Sequence, residues 1–424
     1  MMLRIGIFFL LLIPAQLYAA QLPQLVDLHG FFDLRGGTRL QNDNYQRDTS
    51  LLEARLQLDY SHQFETSTLQ LRGDFVADDI ADDQGIDLEN GDGFFDLREA
   101  NLLFSPTDYS DVKVGRQILT WGTGDLLFIN DLFPKDWQSF FIGRDEEYLK
   151  APSDAILVSL FPEWATIDLA LTPRFDSDRY LSGERLSYWN PNRGRIAGRD
   201  AVIDADQPDE WFKDYELALR LSKSIAAYEV ALYAYRGFWK RPVGYDLNSR
   251  RAISPRLNSY GASLRGPLQG GIYNLEIGFY DSRDDRDGDD PLQPNSEMRY
   301  LVGYERELAR ELTAGAQFYV EQLLNYDNYR SSLPTEQPAR DEYRQVLTLR
   351  LTKLLLQQTL TLSLFSYWSP SDQDYYLRPN LRYKLTDNWL LTTGGNLFGG
   401  SDAHTFFAQL EDNSNVYAGL RYSF

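Results

Sequence analysis

The chain reads as an all-β protein, a transmembrane antiparallel up-and-down β-barrel of about 18 strands, and three observations carry that reading. Apolar and polar residues alternate with period two over segments of about ten residues, the length a tilted strand needs to cross a bilayer. Short and long connections alternate along the chain, which puts turns on one rim and loops on the other. The last segment alternates too and stops on an aromatic residue, with Val416, Ala418, Leu420, Tyr422 and Phe424 set against Tyr417, Gly419, Arg421 and Ser423.

Residues 1–19 read as an export signal: Arg4, an apolar run from Ile5 to Ile13, a break at Pro14 and the small residue of Leu17-Tyr18-Ala19. Residues 20–424 then form a single barrel domain, and no N-terminal plug domain is expected before the first strand. That strand, near 28–40, puts Leu28, Phe32 and Leu34 on one face and His29, Asp33, Arg35 and Arg39 on the other. The same alternation places strands near 51–60, 68–77, 95–104, 111–121, 154–161, 164–172, 214–222 and 227–236. It continues near 257–266, 272–281, 297–305, 312–321, 343–351, 359–368, 375–384, 389–397 and 415–424. An even count returns both chain ends to the short-turn rim.

Composition removes other classes. Among 424 residues there is no Cys and the formal charge is -20, which excludes a disulfide scaffold and disfavours nucleic acid as a partner. A soluble β-sandwich also alternates, but it would not gather aromatics beside the short turns. Here Tyr60, Phe104, Trp164, Tyr228, Tyr273, Tyr304, Tyr383 and Trp389 do so, as an interfacial girdle would. The final strand, with Tyr422 and Phe424, resembles the C-terminal signal of Gram-negative outer-membrane proteins. That implies an outer-membrane location, with lipid, lipopolysaccharide and the barrel assembly machinery as partners.

A barrel of this size leaves an aqueous channel, and the inward face should be charged. Around the barrel closure the inward basic residues are Arg35, Arg39, Arg55, Arg72, Arg350, Arg378, Arg382 and Arg421. The far wall carries Asp168, Glu216, Glu229, Glu276, Glu305 and Glu321. Two readings stay open: a pore with a basic and an acidic wall, or charges that pair across strands and keep the lumen wet. Arg116 falls in phase with Val112 and Val114, where lipid would cost it about 2 to 4 kcal/mol. A bulge at Gly115 that turns Arg116 into the lumen is the expected solution.

The segment Gly115-Arg116-Gln117, Trp121-Gly122, Asp125, Asp131 and Pro134-Lys135-Asp136 resembles a motif of outer-membrane porin-like families, distantly the alginate-export porins. The resemblance implies a channel for small hydrophilic solutes, or alternatively an exporter of an acidic polysaccharide. Residues 123–153 hold a dense apolar run from Leu126 to Ile142 that water-facing loops avoid. They are expected to fold into the channel and constrict it, with Asp125, Asp131, Lys135, Asp136 and Trp137 at the opening. A long external loop is expected at 173–213.

Two acidic loops, Asp78 to Asp92 and Asp281 to Asp290, could hold Ca²⁺, but the spacing around Gly288 does not match a dedicated calcium loop. Their plain reading is a solvated external surface that meets lipopolysaccharide through divalent ions. An enzyme or adhesin on a barrel is the weaker alternative. His29, His62 and His404 sit in no nucleophile motif, and no catalytic residue, cofactor or metal is expected. The excess of Arg at the closure favours anionic solutes.

Overall fold

A computed structural model describes residues 28–80, 85–334 and 337–424. The export signal expected at 1–19, and Asp82 and Asp83 of the first acidic loop, lie outside them. One 18-stranded antiparallel sheet closes on itself. Its strands are β1 (Leu28–Arg39), β2 (Thr49–Gln63), β3 (Ser67–Asp78), β4 (Phe95–Thr107), β5 (Ser110–Gln117) and β6 (Ser153–Leu160). Then come β7 (Thr166–Thr172), β8 (Glu216–Ile225), β9 (Tyr228–Phe238), β10 (Arg256–Leu268), β11 (Gly271–Ser282) and β12 (Glu297–Ala309). The last six are β13 (Leu312–Leu323), β14 (Tyr343–Leu355), β15 (Leu360–Ser369), β16 (Asp374–Lys384), β17 (Trp389–Gly400) and β18 (Asn415–Ser423).

Each strand pairs with its neighbour in sequence, and β18 returns to β1 from Phe31↔Ser423 to Arg39↔Asn415. Phe424 extends the seam, its N–H donating to Gly30 O at 3.0 Å while Gly30 N–H donates to Phe424 O at 3.2 Å. Closure matters because a lipid-facing strand edge would leave a row of backbone groups without partners. The period-two pattern sorts the side chains as the alternation requires: Leu34, Leu102, Val114, Leu232 and Val302 are exposed outward, while Asp33, Arg35, Glu53 and Asn101 are buried inside.

The strand expected at 111–121 stops at Gln117, four residues early, and the chain leaves the sheet before Trp121. Nor is there a register break at Gly115. The pairing runs unbroken through Asn101↔Gly115 and Ala100↔Arg116, and the bulge lies instead in β4, where Arg98 is the extra residue. Gly115 has φ +118, and a Cβ there would meet Ala100 O at 2.3 Å, so the position suits glycine alone.

The hydrophobic core sits inside the barrel. Phe140, Phe141, Leu126 and Ile129 from the β5–β6 connection pack against Tyr280, Tyr367, Tyr376, Phe398 and Tyr417 on the inner wall. Phe141 meets Phe398 at 5.3 Å and Tyr376 at 5.6 Å, both edge-on, a favoured aromatic geometry.

Candidate functional site

Residues 118–152 run through the lumen as a folded loop. Its one helix, α1 (Trp137–Ile142), is capped by Asp136, whose carboxylate accepts from Ser139 N–H at 2.7 Å and Ser139 Oγ–H at 2.6 Å. Gly143 ends it at φ +98, and a Cβ there would strike the Tyr417 ring at 2.3 Å. A single turn of 3₁₀ helix, Glu146–Leu149, follows.

Two docks hold the loop. On the far wall, Glu276 accepts from Thr123 N–H, Thr123 Oγ1–H at 2.8 Å, Gly124 N–H at 2.7 Å and Asn130 Nδ2–H at 2.8 Å. Gln317 of β13 adds a reciprocal pair, accepting from Asp125 N–H and donating to Asp125 O, each at 2.8 Å. On the opposite side, Tyr148 donates to Asp74 at 2.7 Å and covers Arg55, whose guanidinium lies 4.3 Å from the ring centroid. Arg55 also pairs with Glu53 at 2.8 Å and Asp74 at 2.6 Å.

Between these docks a column of arginines faces acidic residues of the loop. Arg350 pairs with Asp125 at 2.5 Å and with Glu146 at 3.3 Å. Arg378 reaches Glu146 at 3.1 Å, and Arg421 reaches Glu147 at 3.4 Å. Asp145 lies 3.5 Å from Arg421, 3.6 Å from Arg35 and 3.8 Å from Arg382. Burial works against the Asp145 carboxylate, yet Arg421, Arg382 and Arg35 hold it below the usual carboxylate range. Asp125 goes the other way, because burial outweighs the pull of Arg350. Arg35, Arg350, Arg378 and Arg382 line a cavity of about 200 Å³ that also includes Thr352, Thr361 and Asn380.

The other charges named from sequence have different places. Arg39 donates to Arg185 O at 2.7 Å beneath the β7–β8 loop, and Arg72 pairs with Asp59 at 2.7 Å. Arg116 is not turned inward. It stays in register opposite Ala100 and Asp154, and its guanidinium is bound by Asp154 at 2.9 Å, Leu97 O at 2.6 Å and Leu88 O. The β4 bulge and the acidic loop supply those carbonyls, so the cation is satisfied without entering the lumen. On the far wall Glu216 is engaged by Lys240 at 2.5 Å and Tyr235, and Glu321 by Arg340 and Tyr319. Asp168 accepts from Ser159 at 2.6 Å, and Glu229 pairs with Arg220 at 2.5 Å. Glu305 is exposed.

Of the residues expected at the loop's opening, Asp125 meets the arginine column and Trp137 lines the external mouth. Asp131 and Lys135 do not line an opening, while Asp136 borders a cavity of about 1120 Å³ beneath the β7–β8 loop. Lys135 pairs with Asp131 at 2.9 Å inside the loop and Asp136 caps α1, because a buried apolar segment must satisfy its own polar groups. The β7–β8 loop, residues 173–215, folds inward to help: Asp178 accepts from Lys135 N–H at 2.8 Å and Trp137 Nε1–H at 2.9 Å, and Arg179 pairs with Asp96 at 2.9 Å. The sequence reading missed Arg144, Asp145, Glu146, Glu147 and Tyr148. The one signal was a charged run directly after an apolar one.

In the acidic loops, carboxylates tie their own turns. Asp87 accepts from Glu89 N–H at 2.9 Å and Asn90 N–H at 3.1 Å, and Asp285 from Gly288 N–H at 2.9 Å. Among the described residues no group of three or more His, Asp or Glu is placed to hold a metal ion.

A likeness in structure appears at this point. OccK11 (OpdR) of Pseudomonas aeruginosa is similar at TM-score 0.55 and 12% identity, over 94% of this chain and 96% of that one. The fold is that of the outer-membrane porins. OccD3 (OpdP) of the same organism is similar at TM-score 0.51 and 10% identity, over 94% and 91% of the two chains. Wzi of Escherichia coli, a carbohydrate-binding β-barrel involved in group 1 capsule assembly, is similar at TM-score 0.51 and 11% identity, over 97% and 87%. No family model and no curated protein matches the chain, so the alginate-export likeness rests on Gly115-Arg116-Gln117 and its neighbours alone.

Proposed function

We propose that this chain is an outer-membrane porin of a Gram-negative bacterium that passes small hydrophilic solutes by diffusion and prefers anions. The observation that carries the preference is the asymmetry between the two walls. Carboxylates of the acidic wall hold loops: Glu276 takes the in-lumen loop, Glu216 takes Lys240, and Glu321 takes Arg340. On the opposite wall Arg350, Arg378 and Arg382 line a cavity, and Glu146, the counter-charge of Arg350 and Arg378, is 44% exposed in its side chain. Ion pairs that exposed are weak, worth about 0.2 to 1 kcal/mol, so a passing carboxylate or phosphate competes for the same guanidiniums at little cost. The in-lumen loop narrows the path and forces solutes against that column.

Planar-bilayer recording under a salt gradient tests the reading. Anion preference is expected in the reversal potential, and replacing Arg378 and Arg382 by Ala should reduce it. A strong cation preference that this double substitution leaves unchanged would overturn the preference, and absence of conductance from a folded barrel would overturn the porin.

A further inference from the structure

Near the external ends of β12, β14, β15 and β16 the outward face of the sheet carries Tyr300, Tyr343, Trp368 and Tyr375, all exposed, as an interfacial aromatic belt does. Over β9 to β11 charge interrupts the belt. Leu232, Tyr260 and Ile277 are exposed outward, and by parity Arg236, Arg256, Asn258 and Asp281 share that face. Arg236 stands opposite Asn258, and Asn258 opposite Asp281. Arg283 continues the register, its backbone N–H donating to Arg256 O at 3.0 Å.

Two arginines of this patch are answered. Asp284 accepts from Arg256 N–H and Nε–H at 2.7 Å each, and Asp281 accepts from Arg286 Nε–H at 2.9 Å and Asn258 Nδ2–H at 3.0 Å. Arg236 and Arg283 are not: among the described residues neither guanidinium makes an ion pair or a hydrogen bond, and Arg236 is exposed. The patch thus sets Arg236, Arg256, Arg283 and Arg286 against Asp281 and Asp284 alone, on a chain whose formal charge is -20. Asp287, Asp289 and Asp290 lie further along the β11–β12 loop, which is tied toward the β13–β14 connection. Asn325 donates to Arg286 O at 2.7 Å and Asn328 to Asp287 O at 2.8 Å.

We propose that this outer wall binds the head group of lipid A, the phosphorylated sugar lipid of lipopolysaccharide, with phosphate oxygens on Arg236 and Arg283 and a sugar ring on the exposed face of Tyr260. The two arginines stand two strand spacings apart, about 10 Å, which two long side chains can close. The long loops put this wall in the outer leaflet. There an unanswered guanidinium against acyl chains is unfavourable, and a phosphate at the level where the chains end takes its parallel N–H donors. A second copy of the chain is the poorer occupant, because a two-fold contact would set the same unanswered cations against each other. The inference rests on the outer-membrane location in the porin reading and is independent of what the lumen passes.

The test titrates the folded full chain in detergent, stripped of copurified lipid, with lipid A carrying both phosphates, with lipid A lacking both, and with phosphatidylglycerol, reading bound lipid by native mass spectrometry. Phosphorylated lipid A should bind at least ten-fold tighter than either comparison. Arg236→Gln should weaken it at least five-fold while keeping the gel shift of a folded barrel, and Arg236→Lys, which keeps the charge, should retain most of it. Equal binding of the dephosphorylated lipid, equal binding of phosphatidylglycerol, or an affinity unchanged in Arg236→Gln would overturn the site. Should that variant fail to fold, Arg283→Gln serves instead: it should weaken lipid A binding, and an unchanged affinity would overturn the site. The two readings fail separately. A conducting barrel without preference for lipid A would overturn only this surface, and a folded barrel that binds lipid A but does not conduct would overturn only the porin.

Discussion

Glu276 is one carboxylate that accepts from Thr123, Gly124 and Asn130, residues more than 140 positions away in the chain. A hydrogen bond to a charged group contributes about 1.5 to 3 kcal/mol, so several on one side chain anchor the loop more firmly than any exposed ion pair. Glu276→Gln keeps the shape but turns an amide N–H₂ toward donors. Single-channel recording should show higher and noisier conductance than wild type, and a trace unchanged in both respects would mean that the loop is held elsewhere. Asp176 gives the β7–β8 loop a pH dependence. Burial, and then the charge of Glu216, push its carboxyl up to about 7. An unfolded Asp titrates near 3.9, so the docked loop holds a proton that a released loop would not between roughly pH 4 and pH 7. Docking is therefore favoured most below that window and weakens as pH rises through it. Amide exchange in residues 173–215, corrected for its intrinsic rate, should be less protected at about pH 8 than at about pH 5, and Asp176→Asn should flatten the difference.

At the scale of elements, the in-lumen loop is a hydrophobic insert with a charged tail. Its apolar half packs on Tyr280, Tyr367 and Tyr376, and burial at roughly 25 cal/mol per Å² drives that docking. Its acidic turn then meets the arginine column. Because those carboxylates are counter-charges of the column, replacing Asp145, Glu146 and Glu147 together by Asn and Gln should free Arg378 and Arg382, while Asp33 keeps Arg35 and Arg421 at 2.9 Å each. The reversal potential should shift further toward anions while the barrel stays assembled. A shift toward cations would mean that the turn, and not the column, sets the preference.

For the whole molecule, stability comes from closure. All 18 strands bond to two neighbours, and the seam of β1 on β18 removes the only edges such a sheet would have. Barrels of this kind hold their shape in detergent until heated. Unboiled protein should run faster than boiled protein on a denaturing gel, and truncation before Asn415 should abolish that difference. Equal migration of the boiled and unboiled full chain would count against a closed barrel.

The alternation of residues such as Leu34, Arg35 and Gly36 determined the strands, because a side chain's face in a sheet follows from its parity alone. That is why all eighteen strands were legible and why strand ends were the weaker part, as at Gln117, where no parity rule marks a stop. The inward charges were legible for the same reason. Their partners were not. Glu276 facing Thr123, Arg378 facing Glu146 and Arg116 held by Leu88 O join positions far apart in sequence, and only the closed barrel brings them together. Nor could parity say that Lys135 and Asp136 would turn inward on their own loop, since irregular chain has no period to read. The sequence by itself determined a charged-lumen barrel with an apolar loop to accommodate. The tertiary structure decided which residues of each wall hold that loop, because packing assigns partners and local pattern does not.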